Sequence, residues 1–142
     1  MQKAVLVLFL AFAVIELNAI PPEMRAILPP EIVDFILGLR KICTAKIGGL
    51  TDADIETYKI TNTDEKFKCY MKCMLHEAKW MSPDGTIHYE HILDGMHADV
   101  KPILEEIFEK CRDIPDSPEE CGKAYNFHVC IAKADPKRYF LP

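Results

Sequence analysis

Six cysteines stand at positions 43, 69, 73, 111, 121 and 130 of a 142-residue chain. In a reducing compartment such a set reads as metal or redox chemistry; in an oxidising one it reads as disulfides. Five histidines accompany them, His76, His88, His91, His97 and His128. Cys69 and Cys73 with His76, or His128 with Cys130, have spacings that could supply zinc ligands. The chain carries no G-x-S-x-G elbow, no H-E-x-x-H pair and no nucleotide loop. Its acidic residues fall on solvent-facing stripes, so no catalytic residue and no cofactor are expected and the chain does not read as an enzyme. A net charge of −5 with no Lys/Arg block argues against nucleic acid as a partner, because phosphate neutralisation needs a basic surface.

The N-terminus decides between metal and disulfide. Lys3 precedes Ala4 to Ile15, an unbroken apolar run of twelve residues. That length suits a secretory signal peptide and falls short of the roughly 20 residues of a membrane span. The expected boundaries are a signal peptide over 1–19 and a mature domain over 20–142. Cleavage is placed after Ala19, although Leu17 at the −3 position is larger than ideal. The rival is an N-terminal membrane anchor; no later segment is apolar enough to span, so the mature chain has no membrane span. In a secreted chain the even cysteine count reads as three disulfides with no metal. Two pairings fail on geometry. Cys69 and Cys73 are one helical turn apart, about 6 Å between Cβ atoms, and Cys121 and Cys130 are about 13 Å apart along one helix. Excluding both leaves ten of the fifteen possible pairings.

Helices must position these groups, since period-two strand patterns are nearly absent. Pro29-Pro30 ends a first short segment. Ile32, Phe35, Ile36 and Leu39 mark a helix over 31–42, with Gly38 and Gly48-Gly49 read as interruptions or ends. Thr51 with Asp54 predicts a capped short helix to Lys59. Further helices are predicted over 64–81 and 89–95, separated by the turn residues Ser82-Pro83-Asp84-Gly85. The clearest stripe is Val100, Ile103, Leu104, Ile107, Phe108 and Cys111. Ser117-Pro118-Glu119-Glu120 predicts the start of the last helix, which Asp135-Pro136 stops. The tail then ends on Tyr139, Phe140, Leu141 and Pro142, and an apolar end needs something to bury it.

The cysteine spacing, C-x25-C-x3-C-x37-C-x9-C-x8-C, resembles that of the insect odorant-binding proteins, the general-odorant and pheromone-binding family. The segments DEKFKCYMKCMLHEAKW and DPKRYFLP are similar to those of mosquito and fly antennal members. Lipid-transfer proteins, saposins and secreted phospholipases fit less well, because their adjacent or closely spaced cysteines and His-Asp pair are missing. The resemblance implies the pairs Cys43–Cys73, Cys69–Cys121 and Cys111–Cys130. It also implies an all-α, six-helix, disulfide-linked bundle around an apolar cavity, with the C-terminal tail as a lid. Carried over by resemblance, the ligand would touch Tyr89, Ile92, Leu93, Met96, Val100, Leu104, Ile107, Phe108, Phe127 and Ile131, with Tyr139, Phe140 and Leu141 closing the mouth. Arg40 and Tyr70 would latch the Pro142 carboxylate. Phe108 would narrow the pocket. Any acid-triggered opening would come from that carboxylate, with His88, His91 and His97 as the rival source.

The function implied is secreted transport of small hydrophobic volatile ligands through sensillar lymph to olfactory receptors. A homodimer and a receptor are the implied protein partners. Two alternatives are a signalling partner recognised in its ligand-bound form and a carrier used outside olfaction.

Overall fold

The computed structural model describes residues 20–142, and the expected signal peptide lies outside them. Seven helices follow one another among the described residues: α1 (Pro22–Arg25), α2 (Pro30–Ile47), α3 (Asp52–Glu56), α4 (Glu65–Glu77), α5 (Tyr89–Asp94), α6 (Lys101–Lys110) and α7 (Gly122–Ala134). The class is all-α, one helix more than the resemblance implies, the extra one being the single turn α1 before Pro29-Pro30. The strand-like element described is an isolated antiparallel bridge, Met81 to Ile87, which closes the turn at Ser82–Gly85.

Local chemistry sets most of the ends. Extended Pro29 opens α2, and Gly48 at φ 71° ends it, a conformation that costs glycine little. Gly38 does not interrupt α2; it lies inside the helix, where flanking apolar side chains pack and a helical glycine costs only about 1 kcal/mol. At α3, Asp54 N donates to Thr51 Oγ1 at 3.2 Å and Thr51 N donates to Asp54 Oδ2 at 2.8 Å, the reciprocal cap that the spacing predicts. Asp64 caps α4 by accepting from Lys66 N at 2.8 Å. That helix stops four residues before Met81, because Lys79 turns to φ 62° and the Trp80 and Met81 amides both return to Leu75 O.

The last helix begins at Gly122 and not at Pro118. Residues 118–121 form a turn instead, with Glu119 N donating to Ser117 Oγ at 3.1 Å and Gly122 N donating to Glu119 O at 3.1 Å. The backbone folds so tightly there that a Cβ on Gly122 would lie 2.0 Å from Ser117 Oγ.

Helix α4 is the hub. It packs on α2 and α7, while α6 packs on α7 and α5. Cys43–Cys73 joins α2 to α4, Cys69–Cys121 joins α4 to the start of α7, and Cys111–Cys130 joins the end of α6 to α7. Tyr70, Met71, Ile55 and Cys43 are fully buried around the hub. The space left between α2, α5, α6, α7 and the tail is the site.

Candidate ligand-binding site

A cavity of about 170 Å³ lies between α2, α5, α6, α7 and the tail, and its lining is almost wholly apolar. Ten of the expected contact residues meet there. Ile92 comes from α5, and Met96 from the segment after it. Val100, Leu104, Ile107 and Phe108 come from the α6 stripe, and Phe127 and Ile131 from α7. Tyr139 and Phe140 arrive from the tail. Amphipathic spacing explains the α6 wall, since positions three and four apart share one face.

Three expected positions do not line the cavity. Tyr89 stands behind the wall: its Oη donates to Cys111 O at 2.5 Å, and its ring meets Phe108 edge-on at 5.1 Å between centroids. Leu93 neighbours Ile92 on a short helix and is turned into the core. Leu141, next to Phe140 in the tail, is buried in the core instead. Phe108 fills a central place, with Phe127 6.1 Å away between centroids.

Carry-over from the family pattern missed the opposite wall. Ile32, Phe35, Ile36 and Leu39 of α2 line the cavity, with Met24 and Leu28 before them. Met74, Leu75 and Trp80 add to it from α4 and the turn beyond. The α2 stripe is plain in the sequence, but periodicity marks an apolar face without saying whether the face meets side chains or space. Phe35 is 43% exposed and stacks near Trp80, 6.5 Å between centroids, so the rim of the cavity lies at this end.

The polar groups on the wall come from α7 and the residues after it. Asp135 Oδ1 accepts from Arg138 N at 3.3 Å, Asp135 Oδ2 accepts from Arg138 Nη1 at 2.5 Å, and Tyr139 N donates to Asp135 O at 3.1 Å. Together these bonds make the turn that folds the tail back over the cavity. His128 Nδ1 and Tyr139 Oη stand 3.2 Å apart. Burial holds the His128 imidazole down at about 4 and pushes the Tyr139 phenol up, so both are neutral near pH 7.

Tyr70 Oη donates to a Pro142 oxygen at 2.5 Å and so ties the end of the tail to α4. Burial raises the Tyr70 phenol, against a smaller opposing pull from the neighbouring Arg40 guanidinium. Arg40 does not hold Pro142 directly. Its ion-pair partner is Glu56, 3.8 Å away, and it reaches the tail only through Tyr70. Nor do His88, His91 and His97 reach the cavity. His88 Nε2 is bonded to Ser82 Oγ at 2.5 Å, and His91 and His97 are exposed, the latter 3.4 Å from Asp99. The histidine on the wall is His128.

The PBP/GOBP family model matches residues 26–134. General odorant-binding protein 69a of Drosophila melanogaster is 22% identical over 131 residues, 91% of this chain and 87% of that protein. Odorant binding protein 4 of Chrysopa pallens has a TM-score of 0.69 at 26% identity, covering 82% of this chain and 100% of its own. Odorant binding protein 7 of Anopheles gambiae, which has four disulfide bridges and is in complex with an azo compound, has a TM-score of 0.65 at 22% identity, covering 78% and 90%. Cysteine spacing, helical frame and apolar cavity therefore agree with the family match: the chain belongs to the PBP/GOBP family of odorant-binding carriers.

Proposed function

We propose that residues 20–142, released from a signal peptide over 1–19, form a secreted carrier for small apolar volatile molecules. The carrier takes its ligand into the cavity and moves it through sensillar lymph to a membrane receptor. One observation carries this reading. A cavity of about 170 Å³ with an apolar wall opens beside a well-packed hub, and a tail tied down by Tyr70 closes over it. The azo-compound complex of the Anopheles gambiae protein supports a ligand-holding role for the shared fold.

The mechanism is burial and not chemistry. Removing apolar ligand surface from water contributes about 25 cal/mol per Å², which for a small odorant corresponds to roughly micromolar affinity. Flexible methionines and aromatic faces on the wall accept varied shapes. Release follows acidification. Protonating His128 removes the Nδ1 acceptor facing Tyr139 and so loosens the tail. Affinity stays level from pH 8 to 6 and falls below about 5, as His128, held down at about 4 by burial, takes up its proton.

The test is displacement of the fluorescent probe N-phenyl-1-naphthylamine by alcohols, aldehydes, esters and indoles, repeated across pH. Displacement by at least one class supports the carrier. Failure of every class counts against it, and a halving of affinity between pH 8 and 6 counts against the acid release.

A further inference from the structure

The outward face of α2 carries the large hydrophobic side chains that the described residues leave exposed, Phe35 and Ile42, each at 43%. Gly38 lies between them, exposed and inside the helix, and a Cβ there would meet nothing within 4 Å. The backbone at this point is helical, so no turn asks for a glycine. Alanine would fit the open space and favour the helix. A second backbone that comes close to the face explains why a side chain is missing.

The exposed residues of α2 all fall within about 80° of Gly38 around the helix. Acidic Glu31 and Asp34 stand toward its start, and basic Lys41 and Lys46 toward its end. Lys46 is shared with Glu77, whereas Glu31, Asp34 and Lys41 make no ion pair among the described residues. Consider a two-fold axis at Gly38 that runs two such helices antiparallel. Phe35 lies three residues before Gly38 and Ile42 four after it, on one side of the face. Asp34 and Lys41 lie four before and three after, on the other side. The axis therefore sets Phe35 against the partner's Ile42 and Asp34 against the partner's Lys41, each contact occurring twice. It also brings Glu31 toward the partner's Lys46.

We propose that this face is a self-docking surface, through which two copies of the chain associate by antiparallel α2 helices crossing at Gly38. An isologous contact needs a surface complementary to itself, and this one is so in its charges and in its apolar groups. An anionic lipid surface fits less well, because Glu31 and Asp34 would lie against it. One helix face is small beside the roughly 800 Å² per partner of a stable interface, so the dimer is weak and reversible. Phe35 also lines the cavity at its rim, beside Trp80. Pairing thus lays Ile42 of the partner subunit over the outer side of that wall. The surface itself does not depend on what the cavity holds.

Sedimentation equilibrium of the native chain from about 10 µM to about 1 mM should show a reversible monomer–dimer equilibrium. Gly38→Gln puts a good helix former into open space, so its thermal midpoint should hold or rise while its dimer weakens about 10-fold or more. Asp34→Lys alone sets cation against cation, and Lys41→Asp alone sets carboxylate against carboxylate. Each should weaken self-association roughly 10-fold. An equimolar mixture of those two variants should associate as tightly as the native chain, because both contacts of the mixed pair are again opposite in charge. None of the three positions lines the cavity, and unchanged helical circular dichroism shows that each variant is folded. A native chain that stays monomeric over the whole range overturns the proposal, and binding of that monomer to phosphatidylserine vesicles would give the face to a lipid surface instead. A dimer indifferent to all three substitutions belongs to another face and overturns it equally. So does a mixture that fails to recover association.

Discussion

A neutral imidazole sealed in an apolar wall makes the fold sensitive to acid. His128 titrates at about 4 when folded and near its ordinary 6.5 when unfolded, because burial disfavours the cation. The unfolded chain therefore binds the extra proton first as pH falls. Stability is full above about 6.5, drops between 6.5 and 4, and levels off below, a total of roughly 3 kcal/mol at 1.36 kcal/mol per unit. Thermal unfolding followed across that range should show the drop, and His128→Phe should remove most of it. An equal drop in the variant would assign the acid sensitivity to carboxylates such as Asp54, Glu77 and Asp84, which are held low by their partners. At this scale the sequence is least legible. Nothing in its pattern separates His128 from His91, yet one is 5% exposed on the cavity wall and the other faces solvent. Arg40 likewise matched a latch by position, but the nearby Glu56 carboxylate claims its charge.

Helical stripes were far more legible than their surroundings. The α6 stripe and the Thr51–Asp54 cap stand in the structure as the spacing predicts, because both depend on residues within one or two turns. The start of α7 does not, since the approach of Gly122 to Ser117 reshapes a cap that reads well locally. The α2 stripe is correct as a stripe, but whether it faces packed atoms or space depends on how far α6 and α7 stand off, which no local pattern encodes. That distinction has an energetic consequence. Truncating a residue that already faces a void creates little new void, whereas truncating a packed residue costs its transfer energy and a fresh cavity. Leu104 is half-buried on the cavity wall, while Ile55 of α3 is 2% exposed in the packed core. In urea titrations Leu104→Ala should cost less than about 2 kcal/mol and Ile55→Ala about 2–5 kcal/mol. Probe affinity should fall in the first and hold in the second. Equal destabilisation would mean that the space beside Leu104 closes in solution.

Across the whole molecule the disulfides separate stability from the shape of the cavity. A cross-link stabilises chiefly by shrinking the unfolded ensemble, more so for a longer loop. Cys69–Cys121 closes a separation of 52 residues and Cys111–Cys130 one of 19, so loop entropy ranks the first at about 4 kcal/mol and the second at about 3 kcal/mol. Their places in the fold give the reverse order for binding. Cys111–Cys130 fastens α6 to α7, the two helices that supply Val100, Leu104, Ile107, Phe108, Phe127 and Ile131 to the cavity. Cys69–Cys121 ties α4 to the start of α7, where neither cysteine lines the cavity and the neighbouring contacts are ion pairs such as Lys68 with Glu119 at 2.6 Å. A space held open between two helices forfeits packing energy, so the bond across it resists collapse and not only unfolding. Replacing Cys69 and Cys121 together by alanine should therefore lower the denaturation midpoint more and the probe affinity less. Replacing Cys111 and Cys130 should do the opposite, measured on both proteins at a temperature where each is folded. If affinity simply follows the midpoint in both, the bridges act as general staples and the cavity is kept open by the helices alone.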